Sequence, residues 1–189
     1  MEITLIRHGR SQLDVERSIT CYEFTDWVSQ YNSVGVVEES FYPKEAVKKM
    51  NEASLVITSD LKRSIHSAHL LRTNVKIISS SLFREIELPL TSKPFPRIKL
   101  SSDTWAVLLR ILWFSGFSTN CESYKDAKKR AELAANKIMK LTSEHKNVVL
   151  VGHGFFNRLI AKELQNKGWK PKTKITSKHW GASTFTNDV

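Results

Sequence analysis

Cysteine is nearly absent from this chain. Cys21 and Cys121 are the only two in 189 residues, with no Cys-x-x-Cys and no histidine cluster beside either, so neither a disulfide framework nor a zinc site is expected. Both read as reduced thiols. Long apolar runs are lacking as well: the longest, "WAVLLRILWFSGF" from Trp105 to Phe117, is interrupted by Arg110. It falls short of the roughly 20 residues that cross a bilayer, and it reads as a buried helix instead. Acidic residues are scarce, 19 Asp and Glu against 29 Lys and Arg, which leaves a net charge of +10. Such a surface attracts nucleic acid, anionic lipid and phosphorylated metabolites alike, so charge alone does not choose a partner. Internal repeats, low-complexity tracts and linker-like stretches are missing too. The opening "MEITLI" has no basic segment followed by an apolar core, which sets the expectation of a cytoplasmic protein.

What is present fits one domain over residues 1–189, with 41% hydrophobic residues to build a core. "EITLIR" (2–7), "SLVITS" (54–59), "VKIIS" (75–79) and "NVVLVG" (147–152) are short β-branched runs that read as buried strands. "WGASTFTNDV" reads as a further, final strand. Between the runs lie helical patterns. Tyr124, Ala127, Ala131, Leu133, Ala134, Ile138 and Leu141 form one stripe with lysines elsewhere. "DLKRSIHSAHLL" opens with Asp60 in the position of an N-cap, and "FFNRLIAKELQNKG" ends at Gly168. Strands alternating with helices predict an α/β fold, a three-layer α/β/α sandwich around a mainly parallel sheet. Residues 19–42 show no stable period and the proline-bearing "LPLTSKPFPRIKL" reads as a loop.

In an open parallel sheet, ligands gather beyond the carboxyl ends of the strands. Here the first strand ends in Arg7-His8-Gly9, the second leads through Ser59 and Asp60 to Arg63, and the fourth ends in Gly152-His153-Gly154. Two histidines and two arginines are therefore expected at one edge. A carboxylate in "LFREIELP" would complete the set, and alternation alone does not separate Glu85 from Glu87. The grouping suits phosphoryl transfer. Two arginines grip phosphate oxygens in bidentate fashion, and a neutral histidine attacks phosphorus in line to give a phosphohistidine. A second, protonated histidine stabilises the equatorial oxygens, while a carboxylic acid protonates the leaving alkoxide and then activates water. The scheme needs neither metal nor cofactor.

At these motifs the sequence resembles the histidine phosphatase, or phosphoglycerate mutase-like, superfamily. "LIRHGRS" is similar to its Arg-His-Gly strand end, "TSDLKRSIHSAHLL" to its Ser-x-x-x-Arg helix start, "FREIEL" to its acid motif and "VVLVGHG" to its second histidine, all in family order. The resemblance implies His8 as nucleophile, Arg7 and Arg63 as phosphate clamps, His153 as the charge-stabilising partner and Glu85 as proton donor. It also implies phosphate contact at Gly154. Three departures bear on specificity. Arg10 stands where the family commonly has Glu, Asp14 stands where most members have an asparagine touching phosphate, and a proline-rich loop replaces the Gly-x-x-Glu-Gly run. Arg10 and Asp14 are thus expected at the substrate mouth, but the substrate itself does not carry over.

The expected activity is metal-independent hydrolysis of a small phosphomonoester. A phosphoglycerate mutase and a non-catalytic binder of phosphorylated ligands or nucleic acid are the alternatives. Lysines 167, 170, 172 and 174 around Trp169 read as a solvated basic loop, since no nucleic-acid motif accompanies them. His66 and His69 are given no catalytic role, and oligomeric state is left open.

Overall fold

The computed structural model describes residues 1–13, 18–71, 74–89 and 98–187. Six strands form one sheet: β1 (Glu2–Arg7), β2 (Leu55–Thr58), β3 (Ile77–Ser79), β4 (Asn147–Gly152), β5 (Lys170–Pro171) and β6 (Ala182–Thr186), in the order β3-β2-β4-β1-β6-β5. The first four named in that order run parallel, whereas β6 runs against β1 and pairs antiparallel with β5. Six helices accompany them: α1 (Cys21–Ser33), α2 (Lys44–Glu52), α3 (Lys62–Leu71), α4 (Ser102–Phe114), α5 (Tyr124–His145) and α6 (Gly154–Asn166).

The strands are apolar on both faces because helices cover both, and successive side chains divide between two cores. Ile3, Leu5, Leu55, Ile57, Val148 and Leu150 face Ala127, Ala131, Ile138, Phe156 and Ile160 of α5 and α6. Ile6, Val56, Val149 and Val151 face Ala46, Met50, Ala68 and Leu71 of α2 and α3. That is the expected three-layer sandwich. A third, smaller cluster joins α1 to α4 through Ile19, Cys21, Phe24, Trp105 and Leu109. Both cysteines are free thiols. Among the described residues no helix is long and apolar enough to cross a membrane.

Several expectations need correction. Residues 21–33, read as irregular, form α1, started by a full capping box: the Glu23 N–H donates to the Thr20 hydroxyl, and the Thr20 N–H donates to the Glu23 carboxylate at 2.8 Å. The Thr-x-x-Glu spacing in "TCYE" was the available signal. Its periodicity is poor because only Cys21 and Phe24 face the core. Asp60 does not cap α3. Its carboxylate takes two 2.6 Å bonds from the Arg84 guanidinium, and the Ser59 hydroxyl accepts the Leu61 N–H instead. Leu133 projects from α5 at 61% exposure, outside the buried stripe, and α4 is only half buried, with Val107, Ile111 and Phe114 in solvent. Trp169 is a core residue at 4% exposure, so it offers no stacking platform among the lysines.

Candidate active site

The parallel register decides what meets at the carboxyl edge. Arg7 of β1 lies opposite Gly152 of β4, and the His8 N–H donates to the Gly152 carbonyl at 3.0 Å. The next residues of the two strands are therefore neighbours, and the His8 and His153 rings sit 5.1 Å apart at an edge-on 63°. Thr58 of β2 pairs with Val151, which delivers Ser59 beside them. Its hydroxyl is 2.7 Å from His153 Nε2. Two serines of α3 stitch these strand ends together. Ser64 donates to the Val151 carbonyl and accepts the Ser59 N–H, while Ser67 accepts the Gly9 N–H.

His8 is buried, and its Nδ1–H donates to the Gly9 carbonyl at 2.7 Å. A carbonyl accepts only, so the proton sits on Nδ1 and the lone pair on Nε2. Burial, and then Arg63 and Arg7, hold the His8 pKa well below the usual histidine value against the pull of the Gly9 bond. The imidazole is neutral at neutral pH. His153, wholly buried, is pushed down in the same direction by burial, His8, Arg63 and Arg7. The protonated His153 expected from the sequence belongs to the phosphate-bound state; in the free site burial, His8, Arg63, Arg7 and Arg130 all favour the neutral ring. Arrival of an anion would reverse that balance.

The two arginines come from different elements and are held by neutral acceptors. Arg7 Nη1 donates to the Ser177 carbonyl at 2.7 Å. Arg63, 2% exposed, donates Nη1 to Asn32 Oδ1 at 2.9 Å and to the Tyr31 carbonyl, and its guanidinium lies 4.5 Å over the Tyr31 ring. This explains the aromatic, aperiodic composition of α1: its last turns hold an arginine of the site. Arg7 Nε, Arg63 Nε and His153 Nδ1 are buried without a hydrogen-bond partner among the described residues. Gly154 permits the crowding, because a Cβ there would come within 3.1 Å of Arg7 Nε.

Glu85 closes one side. It accepts the N–H groups of Phe155 at 3.1 Å and Phe156 at 2.9 Å, and so caps α6 from outside the helix, whose own N-cap, His153, supplies no side-chain bond. Arg130 of α5 fixes the approach by donating to the Leu82 and Arg84 carbonyls, both at 2.9 Å. Glu87 is exposed, and the α6 N–H groups of Phe155 and Phe156 donate to Glu85 instead. Arg10 is exposed at the rim, and Asp14 lies outside the described residues.

Sequence reasoning missed His179. Its ring is 5.7 Å from His8, and partial desolvation at the rim together with Arg7 lowers its pKa to about 4. It is delivered by a strained turn: Trp180 has φ 59°, unusual for a bulky residue, and persists because its N–H donates to the Arg7 carbonyl and its indole N–H to Glu39 at 2.8 Å. The same indole fills the space over Gly9, where a Cβ would meet ring carbon at 2.1 Å. No pattern flagged this turn, since a histidine after a lysine-rich stretch has no periodicity to set it apart. His66 serves the scaffold, accepting the Val36 N–H at 3.2 Å.

Solved structures share this arrangement of strands and helices. A phosphoserine phosphatase from Entamoeba histolytica, in complex with 3-phosphoglyceric acid, superposes with a TM-score of 0.59 at 14% identity, over 98% of this chain and 90% of that one. A mycobacterial glucosyl-3-phosphoglycerate phosphatase gives 0.56 at 17% identity, over 87% and 79%. The α-ribazole phosphatase of Shigella flexneri gives 0.53 at 18% identity, over 87% and 79%. At these identities the likeness is one of fold. No curated protein matches the sequence. The family itself comes from the sequence: the model of the histidine phosphatase superfamily (branch 1) matches residues 3–183, nearly the whole length, and the chain belongs to that superfamily.

Proposed function

We propose that this chain, acting as one domain over residues 1–189 in the cytoplasm, hydrolyses a small phosphomonoester through a phosphohistidine on His8, without a metal. One observation carries the reading: a buried imidazole whose Nδ1 is bound to the Gly9 carbonyl stands among buried Arg7, Arg63 and His153 nitrogens that have no hydrogen-bond partner among the described residues. A buried donor left unpaired costs about 1–3 kcal/mol, which an anion in this place would recover several times over.

Arg7 and Arg63 grip the phosphoryl oxygens, with Gly154 and the α6 N-terminus beside them. His8 Nε2 attacks phosphorus, the P–N bond forms and the ester P–O bond breaks. Glu85 gives its proton to the departing alkoxide; Oε2, which accepts one N–H against two at Oε1, has the freer site for that proton. The charge of the phosphoryl group draws a proton onto His153, whose Nε2 is held by Ser59. Glu85 then takes a proton from water, the oxygen attacks phosphorus, and the P–N bond breaks to release inorganic phosphate. Exposed Arg10 and His179 at the rim support hydrolysis over retention of the phosphoryl group, which a mutase would have to shield from water.

Substitution of His8 by alanine is expected to abolish release of p-nitrophenol from p-nitrophenyl phosphate with the circular dichroism spectrum unchanged. Turnover within tenfold of the wild-type enzyme would reject the role of His8.

A further inference from the structure

The mechanism leaves one built feature unused. A cleft of about 310 Å³ runs along α4, lined by Leu88, Ala106, Val107, Arg110, Ile111 and Phe114. Val107 and Ile111 are each 59% exposed and Phe114 is 51% exposed, although ordinary surfaces bring few large apolar side chains together in one stripe. The cleft adjoins the acid. Phe155, whose N–H binds Glu85, puts its ring 5.5 Å from Phe114 and 4.8 Å beneath the Arg110 guanidinium. Arg110 Nη2 donates at 2.8 Å to the carbonyl of Ile86, the residue after Glu85, while Nη1 is buried without a partner among the described residues. At the other end of the stripe, Asp103 in the first turn of α4 bears electrostatically on His179 at the mouth.

In-line attack fixes direction. The leaving oxygen departs on the side away from His8, toward the group that protonates it, and the carbon skeleton attached to that oxygen must continue past Glu85. Glu85 is joined to the apolar stripe by contact: it binds the Phe155 N–H, and the Phe155 ring packs against Arg110 and Phe114, which line the cleft. We propose that the α4 cleft is the alcohol subsite and that the preferred substrates are monophosphates of apolar alcohols, alkyl or aryl, with the Arg110 stem and the rings of Phe155 and Phe114 as the contact surface. This rests on Glu85 being the proton donor of a phosphatase.

Two series test it, both with the full chain. For n-alkyl phosphates from ethyl to octyl, kcat/KM should rise about two- to fourfold per methylene until the cleft is filled. For the non-hydrolysable n-alkylphosphonates, affinity by calorimetry should rise in parallel. Val107→Asp and Ile111→Asn, both at exposed positions, should flatten the two slopes, with losses that grow with chain length. A flat series in the wild-type enzyme that turns over p-nitrophenyl phosphate would overturn the subsite and leave the phosphatase reading intact. Rising phosphonate affinity without turnover of any ester would keep the cleft and sink the phosphatase. Flat series together with a dimer in sedimentation that Ile111→Asn dissociates would give the stripe to a second copy of the chain, against the proposal.

Discussion

The two ends of the sheet use the same kinds of residue to opposite purpose. At the amino end, Lys49 is buried at 7% exposure and pairs with Glu2 at 2.8 Å and Glu52 at 3.6 Å, and Lys172 approaches Glu2 at 3.8 Å. Glu2 and Glu52 hold the Lys49 ammonium above its usual pKa, against burial. At the carboxyl end, Arg63 is more deeply buried, yet its hydrogen bonds go to neutral oxygens, and burial pulls its pKa down. Cations matched by carboxylates stabilise a fold. Cations gathered with no carboxylate hydrogen-bonded to them among the described residues, next to two neutral histidines, leave the fold carrying a cost that a bound anion removes, as functional sites commonly do.

That contrast can be broken most forcefully at Arg63. Arg63→Ala should reduce kcat/KM for p-nitrophenyl phosphate by at least a hundredfold while leaving the thermal midpoint unchanged or raised. Lys49→Ala should do the reverse, sparing activity and lowering stability by about 1–2 kcal/mol through the acceptors it strands, read by urea unfolding. If both variants lose stability equally and keep activity, the two ends do not differ as described.

A second effect is the response to anions. Inorganic phosphate at a hundred times its Kd should stabilise the wild-type protein by about 2.7 kcal/mol, seen as a rise in thermal midpoint, and should have no such effect on Arg63→Ala.

Smaller still is the pH dependence. His8 and His153 have folded pKa values below the unfolded value near 6.5, so the unfolded chain binds protons that the native one does not once the pH drops below that value. The stability they contribute is present above about pH 6.5 and is lost as the pH falls toward their folded values. Urea midpoints should decline between pH 6.5 and 5 in the wild-type protein and decline less in His153→Asn. For the same reason the acid limb of kcat/KM should lie below pH 6.5.

The mildest change is expected at His179, on the rim. His179→Ala should alter kcat/KM by less than tenfold and act mainly on KM, and asparagine should restore part of the loss.

The sheet and most of this edge were legible beforehand because buried parallel strands are short β-branched runs, and a strand that stops at Arg-His-Gly stops for a chemical reason. Register did the rest: once β1 and β4 pair in parallel, His8 and His153 must be neighbours. Other parts were hidden where function overrides pattern. The aromatics of α1 are spent on holding Arg63 and packing α4, so no amphipathic stripe survives. Asp60 looks like a cap, but its two bonds with Arg84 form across a gap that sequence spacing cannot measure. His179 depends on a strained backbone at Trp180, and strain leaves no trace in residue order.

The most direct measurement of the central claim is chemical. Wild-type enzyme mixed with a ³²P-labelled phosphomonoester, quenched within milliseconds into alkali and digested, should yield one labelled peptide whose phosphate is acid-labile, base-stable and carried on His8 at Nε2. Full turnover with no label on the chain, or label on any residue other than His8, would contradict the account.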